Sequence, residues 1–497
     1  MTRQHGNVVS MPIGLGLSAA SGILMTFAMP GFDVPYLGWV AMVPLLVVLL
    51  GNVRGTYLLA MPFSIVFSIG VHNWYPEIFP PALGYFLILA VATFYAGIFH
   101  LGVWLTRRLP TGLAILALPV TWSAIEFVKF IAPVVENWWF VMIASSAWRF
   151  PEALQVLTIT GFAGLGFLVM LVNVALAALA LRMVNHDGAL PTVASMSALA
   201  AAFAIMIWGA SQLETPTDTF KIAVLTDMVN QDQDVVAMGE FAGFLVDDPN
   251  VSQKIFNVDA ALSREIAGEN PAFVVWPENE ISDIHDPVIM PQIAALAQEM
   301  GAYFNVDTVW QADTGLHDTS LLISPEGREI ARRAKINITD GEAAMGFSAG
   351  PREFGITQTP YGKVGIAICW DVHRLWIMRE LARAGAEIIL LPMDNDFNAT
   401  PRFPPFHAAN AVFRAVENRM TFGLGTINGV SMVIDPYGRI TAEAAINQRS
   451  VVIGETFAVD QETFYMRNGD VFGWLMVALL AGFIGSLSVR NARRKSA

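Results

Sequence analysis

Long, almost uncharged stretches of apolar residues lie towards both ends of the chain, with a more polar region between them. Each stretch approaches the ~20 residues that a helix needs to cross the hydrocarbon core of a bilayer. This pattern predicts seven membrane spans, a long insertion and an eighth span. The predicted spans are Pro12–Met29, Val34–Leu50, Gly55–Tyr75, Pro81–Thr106, Thr111–Phe127, Thr160–Leu181, Thr192–Ala210 and Val471–Val489.

The insertion has a different pattern, in which short β-branched runs alternate with amphipathic stretches. Strands are predicted in FKIAVLTDM, PAFVVWPE, AYFNVDTVW, TSLLISPEG, KVGIAIC, AEIILLPMD, MTFGLGTINGV and SMVIDPYGRI. Helices are predicted in SQKIFNVDAALSREIAG, DPVIMPQIAALAQEMG, LWIMRELARAG and PPFHAANAVFRAVENR. Such alternation predicts a sheet covered by helices, and SPEGREI and DPYGRI are typical of hairpin turns. We therefore expect a transmembrane domain at 1–210, an α/β domain at 211–470, and an eighth helix with a basic tail at 471–497.

Lys and Arg residues in the short loops predict the orientation in the membrane, because cytoplasmic loops carry an excess of them. With the N-terminus in the cytoplasm, the outer short loops hold Lys129 and Arg149. The inner segments then hold Arg3, Arg54, Arg107, Arg108, Arg182, Arg490, Arg493, Arg494 and Lys495. The insertion is therefore expected outside the cytoplasm, on the periplasmic or extracytoplasmic face of a cell (inner) membrane.

Composition agrees with a membrane protein, since 54% of the 497 residues are hydrophobic. The insertion is acidic, with 18 Lys and Arg against 36 Asp and Glu. An acidic domain argues against nucleic acid and against docking on anionic lipid through basic residues. A single cysteine excludes an intramolecular disulfide.

That cysteine, Cys369, follows the apolar run VGIAI. In α/β proteins active groups gather at the carboxyl ends of strands, which favours a nucleophile. Taken alone, a lone cysteine after such a run is equally well a small buried hydrophobe.

Two charged residues have comparable positions. Glu278 follows the strand FVVWP, where partial desolvation would raise its pKa and suit a general base, although a strand-end carboxylate in water is an equal alternative. Glu280 remains open as a second carboxylate. Lys335 in ARRAKINITDGE is typical of a solvated loop, but a fixed ammonium there would stabilise an oxyanion and lower the pKa of a thiol.

Other constellations are weaker. Cys369 and His373 with Asp371 between them suggest a metal site, but no second cysteine or HExxH motif accompanies them, so we expect no metal. A Cys–His dyad that uses His373 or His407 stays open, because the partners of a catalytic cysteine need not be close in sequence. No phosphate-binding loop or dinucleotide fingerprint occurs, and no cofactor is expected.

VVWPE with Glu278, Lys335 downstream and ICWD with Cys369 resemble the Glu-Lys-Cys set of the nitrilase, or carbon-nitrogen hydrolase, superfamily. The chain resembles the membrane branch of that superfamily, the apolipoprotein N-acyltransferases, more closely. Four further segments are similar to that branch: MPGFDVPYLGWVAMVPLLVVL, ENWWFVMIASSAW, LQVLTITGFAGLGFLVMLVNVALAA and ETFYMRNGDVFGW. The resemblance implies an α-helical transmembrane bundle of about eight spans with an inserted nitrilase-like αββα sandwich domain.

The resemblance also implies a reaction and its partners. Glu278 would deprotonate Cys369, which would take an acyl chain from a phospholipid as a thioester, while Lys335 stabilises the oxyanion. The acyl chain would pass to the N-terminal amine of a diacylated lipoprotein. The membrane-embedded enzyme is expected to be a monomer. An amidase or acyltransferase with another donor or acceptor is the alternative, and a non-catalytic binding or scaffold protein is a more distant one.

Several positions depart from that family pattern. Glu342 fits a second essential carboxylate, with a spacing one residue shorter, and Trp370 and Asp371 replace Tyr and Glu. DNDFNA, residues 394–399, leaves Phe397 as the candidate lid aromatic, and TDMVNQD replaces a QGNIPQ-like segment. These departures surround the predicted substrate entrance, so the chemistry is predicted more firmly than the substrate.

Overall fold

The computed structural model describes residues 8–52, 54–133, 135–184, 190–231, 249–278, 281, 283–395 and 400–495. The chain divides into two compact units. The helical unit comprises Met1–Leu213 and Asn468–Ala497, and the α/β unit comprises Glu214–Arg467.

The described helices are numbered in chain order. In the helical unit they are α1 (Met11–Phe27), α2 (Val43–Gly51), α3 (Thr56–His72), α4 (Tyr75–Ile78), α5 (Pro81–Thr106), α6 (Thr111–Ala114), α7 (Ala117–Ile131), α8 (Pro151–Leu154), α9 (Leu157–Thr160), α10 (Phe162–Met183) and α11 (Thr192–Ser211). The α/β unit contributes α12 (Pro249–Glu265), α13 (Ile289–Met300), α14 (Asp340–Ala344), α15 (Leu375–Arg383), α16 (Pro404–Asn418) and α17 (Phe464–Asn468), and α18 (Val471–Lys495) follows.

Membrane spans are supported by four helices among the described residues. By length and composition, α5, α10, α11 and the Val471–Val489 part of α18 are able to cross a bilayer. Helices α1 and α3 are apolar but have 17 residues each. The total of eight spans therefore stays a prediction.

Two predicted spans are not continuous helices. Thr111–Phe127 is divided between α6 and α7, and Val34–Leu50 is interrupted near its start. Tyr36 has a left-handed backbone with φ 61°, a short 3₁₀ turn covers Leu37–Trp39, and α2 begins only at Val43. Pro44 suits the first turn of a new helix, because its missing N–H has no partner there in any case. Apolar content alone did not indicate this break.

The α/β unit contains one barrel-like sheet. The described strands are β1 (Phe220–Thr226), β2 (Phe273–Val275), β3 (Tyr303–Ala312), β4 (Gly315–Ile323), β5 (Glu329–Ala334), β6 (Thr357–Thr359), β7 (Gly362–Ile366), β8 (Ile388–Met393), β9 (Thr421–Thr426), β10 (Met432–Ile434), β11 (Ile440–Glu443) and β12 (Ser450–Thr456). Their order is β5-β4-β3-β2-β1-β9-β8-β7-β6, with β12 on β1 and β10 on β9. The predicted strand-helix alternation is confirmed.

Both faces of the central strands are buried, which explains their nearly continuous apolar sequences. In β1, Ile222 and Val224 pack with residues of β2, β7 and β8 on one face. Ala223 and Leu225 point to the other face and join the core that includes α12 and α13. A face exposed to water would have required polar residues at alternate positions.

The hairpins predicted at SPEGREI and DPYGRI are confirmed, since β4 pairs antiparallel with β5 and β10 with β11. Strands β5, β6, β11 and β12 were not among the predicted strands, although the two hairpin turns implied a partner for β4 and for β10. β5 reads EIARRA, and its charged side chains are tolerated because the strand lies at the end of the strand order and its first residues are exposed.

Candidate active site

Four strands of the α/β unit end at the same edge of the sheet. Strands β2, β7 and β8 are parallel, and β5 has the same direction as β2 because it lies two antiparallel pairings beyond β3. Glu278, Lys335, Cys369 and Asp394 follow their carboxyl ends. The topology thus brings the three residues singled out in the sequence to one place.

Lys335 is buried, with 1% of its surface exposed, so a solvated loop is excluded for it. Its Nζ lies 2.5 Å from Glu278 Oε1 and 3.3 Å from Asp318 Oδ2, and it also donates to Glu342 Oε1. A buried ammonium is destabilising unless it is paired and hydrogen-bonded. The three carboxyl groups therefore hold Lys335 in a fixed position.

Glu342 is oriented by the start of α14. Its backbone N–H donates to Thr339 Oγ1 at 3.2 Å, and its Oε2 accepts from the Thr339 N–H at 2.7 Å. This reciprocal capping box leaves Oε1 to face Lys335. The sequence TDGE, which lacks the apolar residues of the family pattern, thus still directs a carboxyl group to the lysine.

Glu278, Asp318 and Glu342 form a carboxylate cluster whose ligand atoms lie within 4.8 Å of one another. Such a cluster would suit a hard cation that prefers oxygen ligands. The Lys335 ammonium contacts all three carboxyl groups and takes the position of that cation. The arrangement is better suited to fixing an ammonium than to binding a metal ion.

Cys369 begins a 3₁₀ turn, Cys369–His373, directly after the β7 segment. Its φ of 40° lies in the left-handed region, which a non-glycine residue adopts at the expense of backbone strain. The thiol lies 3.7 Å from the Asp394 carbonyl oxygen and also hydrogen-bonds to the Glu278 carboxyl. The Asp394 N–H donates to Glu278 Oε2 at 2.6 Å, so one residue's backbone contacts both side chains.

The surroundings raise the pKa of the Cys369 thiol well above its usual value. Burial is the main cause, the negative charges of Glu278 and Glu342 add to it, and the Lys335 ammonium opposes it. Burial also raises the pKa of Glu278, again against the effect of Lys335. A neutral thiol beside a carboxylate with increased proton affinity is the starting arrangement for general-base activation.

Asp371 links the two segments that carry Lys335 and Cys369. One carboxyl oxygen accepts from the Asn337 N–H at 2.8 Å and the other accepts from the Ile368 N–H at 3.3 Å. The Asn337 side chain donates to the Trp370 carbonyl at 2.7 Å. The shorter aspartate therefore reaches both backbones, which explains structurally why it can stand where the family has glutamate.

Trp370 packs in an aromatic cluster. Its ring stacks on Phe403 with a 4° interplanar angle, and His373 and His407 pack against it. His407 Nδ1 pairs with Asn395 Oδ1 at 2.6 Å, and burial lowers the pKa of His407 to about 3. Burial also lowers the pKa of His373. Both shifts make the imidazoles weaker proton acceptors, which favours Glu278 over either histidine as the base for Cys369.

Two candidates, Glu280 and Phe397, lie outside the described residues. Sequence reasoning missed Asp318 and Asn337. Asp318 had a signal, because it is an acidic residue just before the apolar run TSLLI, in a strand with a buried interior. Nothing in the sequence indicated Asn337, because the fold decides which backbone groups an asparagine in a loop contacts.

Comparison with known proteins gives two matching family models. The apolipoprotein N-acyltransferase N-terminal domain matches residues 21–175, and the carbon-nitrogen hydrolase model matches residues 252–460.

Individual relatives are similar to different lengths of the chain. An apolipoprotein N-acyltransferase of Geobacter metallireducens is 25% identical over 96% of this chain and 95% of its own. An N-carbamoylputrescine amidase of Arabidopsis thaliana is 27% identical over 32% of this chain and 61% of its own length. The solved structure of an amidase from Nesterenkonia sp. aligns with a TM-score of 0.40 and 16% identity, covering 52% of this chain and 95% of that one.

The α/β unit is therefore a carbon-nitrogen hydrolase domain, the domain of the nitrilase superfamily. It follows an apolipoprotein N-acyltransferase N-terminal domain in the same chain. The chain belongs to the apolipoprotein N-acyltransferase family, and it is an N-acyltransferase.

Proposed function

We propose that the protein transfers an acyl chain from a phospholipid, through a thioester on Cys369, to the N-terminal amine of a diacylglyceryl-cysteine lipoprotein. The observation that carries the proposal is the pairing of the family's N-terminal domain with a carbon-nitrogen hydrolase domain whose strand ends hold a Cys, a Glu and a Lys.

In the first half-reaction Glu278 is the proposed base and Cys369 the nucleophile. As Sγ forms a bond to the ester carbonyl carbon, the thiol proton passes to the Glu278 carboxylate. The oxyanion of the tetrahedral intermediate is stabilised by the Lys335 ammonium. Collapse breaks the carbon–oxygen bond, and the proton on Glu278 goes to the departing alkoxide. The products are a lysophospholipid and an acyl thioester.

In the second half-reaction the lipoprotein amine attacks the thioester carbonyl. Glu278 takes a proton from the amine nitrogen, and the carbon–sulfur bond breaks to give an amide. The sulfur leaves as a thiolate and recovers a proton from Glu278. The raised pKa of Glu278, caused mainly by burial, suits a group that accepts and returns a proton in each half-reaction.

Three details of organisation belong to the same proposal. We infer that 1–210 and 471–497 form a multi-pass membrane domain, that 211–470 is the catalytic domain, and that this domain faces the periplasmic or extracytoplasmic side. The excess of Lys and Arg in the inner segments supports that orientation. A membrane location also avoids moving acyl chains into water, at about 0.8 kcal/mol per CH₂.

The acyl-enzyme provides the direct test. Purified protein is incubated with an alkyne-tagged phospholipid, and a hydroxylamine-sensitive adduct is expected on the wild type. Cys369→Ala should abolish the adduct, and Glu278→Gln should prevent its formation. Normal acylation of Glu278→Gln would show that the assigned base is wrong, and no adduct with several phospholipids would overturn the proposal.

A second candidate is an amidase or acyltransferase with a different acceptor. Part of the α/β unit is similar to an N-carbamoylputrescine amidase, which favours this candidate. Water is the acceptor when a covalent acyl-enzyme is hydrolysed. Addition of a diacylated lipopeptide to the isolated adduct distinguishes the two. Rapid discharge with formation of a triacylated peptide supports the first function, and discharge at the same rate with or without lipopeptide supports the second.

A further inference from the structure

The α/β unit has a cavity whose lining does not include the three residues of the carboxylate cluster. Its volume is about 470 Å³, within the range of small-molecule sites. Apolar side chains from three strands form much of its wall: Trp310, Ile330, Val364 and Ile366.

One charged residue of this wall, Arg333 on β5, is buried, with 8% of its surface exposed. Within the part of the chain that the structure describes, Nε and both Nη atoms of Arg333 have no hydrogen-bond partner. The guanidinium lies 5.0 Å from the Phe354 ring, and the charge of Asp371 acts on it. Burial of an arginine without hydrogen bonds to its donors is costly, so a ligand that accepts them would be stabilising.

The other charges around the cavity leave Arg333 as the candidate binding group. Arg332 is already engaged, because its Nε lies 2.8 Å from Glu329 Oε1 and it is half-exposed. Glu353 also lines the cavity but is exposed, and no ion pair between it and Arg333 occurs among the described residues. Arg333 therefore presents several donors and one positive charge to a largely apolar space.

We propose that this cavity binds an amphiphilic oxyanion, with a phosphate or carboxylate head on Arg333 and an apolar chain against Ile330, Val364 and Ile366. A guanidinium matches both heads, since each offers two oxygens to its parallel N–H donors. The inference goes beyond the proposed function, because no step of the proposed thioester reaction uses Arg333.

The test is isothermal titration of the full chain in a neutral detergent with four soluble probes. These are hexyl phosphate, hexanoate, inorganic phosphate and hexanol. Hexyl phosphate and hexanoate should bind to the wild type. Inorganic phosphate lacks the apolar chain and hexanol lacks the charged head, so each should bind at least about tenfold more weakly. Equal affinity for inorganic phosphate and hexyl phosphate would overturn the apolar part of the proposal.

Arg333→Met and Arg332→Gln form the matched pair of variants. Arg333→Met should weaken hexyl phosphate binding at least about tenfold, whereas Arg332→Gln should change it by about twofold or less. Glu353→Gln should strengthen binding, because it removes a competing carboxylate from the wall. Arg333→Lys should give an intermediate affinity, since a lysine keeps the positive charge but loses the parallel N–H donors of the guanidinium.

Folding is checked by thermal unfolding of each variant. Arg333→Met removes a buried charge with unused donors but also the positive charge that acts on Asp371, so binding is compared only between variants that unfold cooperatively. Undiminished binding of hexyl phosphate by folded Arg333→Met, or equal losses in Arg333→Met and Arg332→Gln, would refute the site. A lower midpoint together with full affinity in Arg333→Lys would show that the guanidinium is structural.

Discussion

At the scale of single residues, the central feature is the imbalance of charge around Lys335. One ammonium faces Glu278, Asp318 and Glu342 in a buried site. Burial raises the pKa of Glu278 most, the other two carboxyl groups add to that effect, and the lysine opposes it. The positive charge of the same lysine lowers the pKa of the Cys369 thiol, against the effects of burial and of the neighbouring carboxyl groups. Removal of its charge should therefore affect the thiol directly.

Lys335→Met is expected to slow alkylation of Cys369 by iodoacetamide about tenfold or more at pH 8. The thiolate is the reactive form, and loss of the ammonium raises the thiol pKa, with one unit corresponding to a tenfold smaller thiolate fraction. Since Cys369 is the sole cysteine, incorporated label reports this site alone.

Lys221→Met is the control, because its ion pair with Glu269 is exposed. Unfolding of Lys335→Met would speed labelling by exposing the thiol, so slower labelling cannot result from it. Unchanged or faster labelling in a folded variant would contradict the electrostatic role of Lys335.

Sequence reasoning identified Glu278, Lys335 and Cys369 because each follows an apolar strand or stands in a motif. It did not identify Asp318, because an acidic residue beside a buried apolar run indicates a paired carboxyl group but not which side chain pairs with it, here Lys335. It left Lys335 open between a solvated loop and a site residue, because its burial depends on side chains from distant segments that the fold brings around it. Both features depend on tertiary contacts, which the sequence pattern does not predict.

At the scale of elements, the position of Glu278 depends on how closely β9 approaches the end of β2. Gly425 lies on β9, and a Cβ atom there would come 2.6 Å from the Val275 carbonyl oxygen and 2.9 Å from that of Trp276. Both are backbone atoms, so the strain could be relieved only by movement of the segment that leads to Glu278.

Gly425→Ala is therefore expected to destabilise the protein by about 1–3 kcal/mol and to reduce adduct formation with the tagged phospholipid. Gly268→Ala is the matched control, since a Cβ there meets nothing within 4 Å, and it should change stability by less than about 0.5 kcal/mol. If Gly425→Ala is as stable as the wild type and is fully acylated, the close approach of β9 to the end of β2 does not position Glu278.

Element prediction from the sequence was accurate for strands with two buried faces and for the hairpins. It failed where tertiary contacts decide the conformation. The charged strand β5 is held by pairing with β4, and the predicted span Val34–Leu50 is interrupted at Tyr36 by a left-handed backbone conformation.

At the scale of the whole molecule, the buried histidines link stability to pH. His407 titrates near 6.5 when unfolded and at about 3 in the folded unit, because burial disfavours its charged form. Between these values the unfolded chain binds the extra proton, so stability is lost as the pH falls below 6.5. The raised pKa values of Glu278 and Asp318 act in the opposite direction.

His407→Asn isolates the histidine contribution from that of the carboxyl groups. Relative to its own value at pH 6.5, the wild type should lose about 2 kcal/mol more stability at pH 5 than the variant does. Thermal unfolding followed by tryptophan fluorescence at both pH values measures the difference. Parallel pH dependence of the two proteins would show that His407 is not neutral in the fold.

Orientation in the membrane gives a prediction for the complete chain. Cys369→Ala leaves no cysteine, so single cysteines can be introduced at Thr217, in the α/β unit, and at Thr111, beside the predicted inner segment with Arg107 and Arg108. In right-side-out membranes an impermeant maleimide should label Thr217→Cys at once and Thr111→Cys only after permeabilisation, because the basic segments remain in the cytoplasm. Both residues are exposed, so accessibility in the folded chain does not limit the reaction. Labelling of Thr111→Cys before permeabilisation, with Thr217→Cys protected, would invert the topology and place the thioester chemistry on the cytoplasmic face.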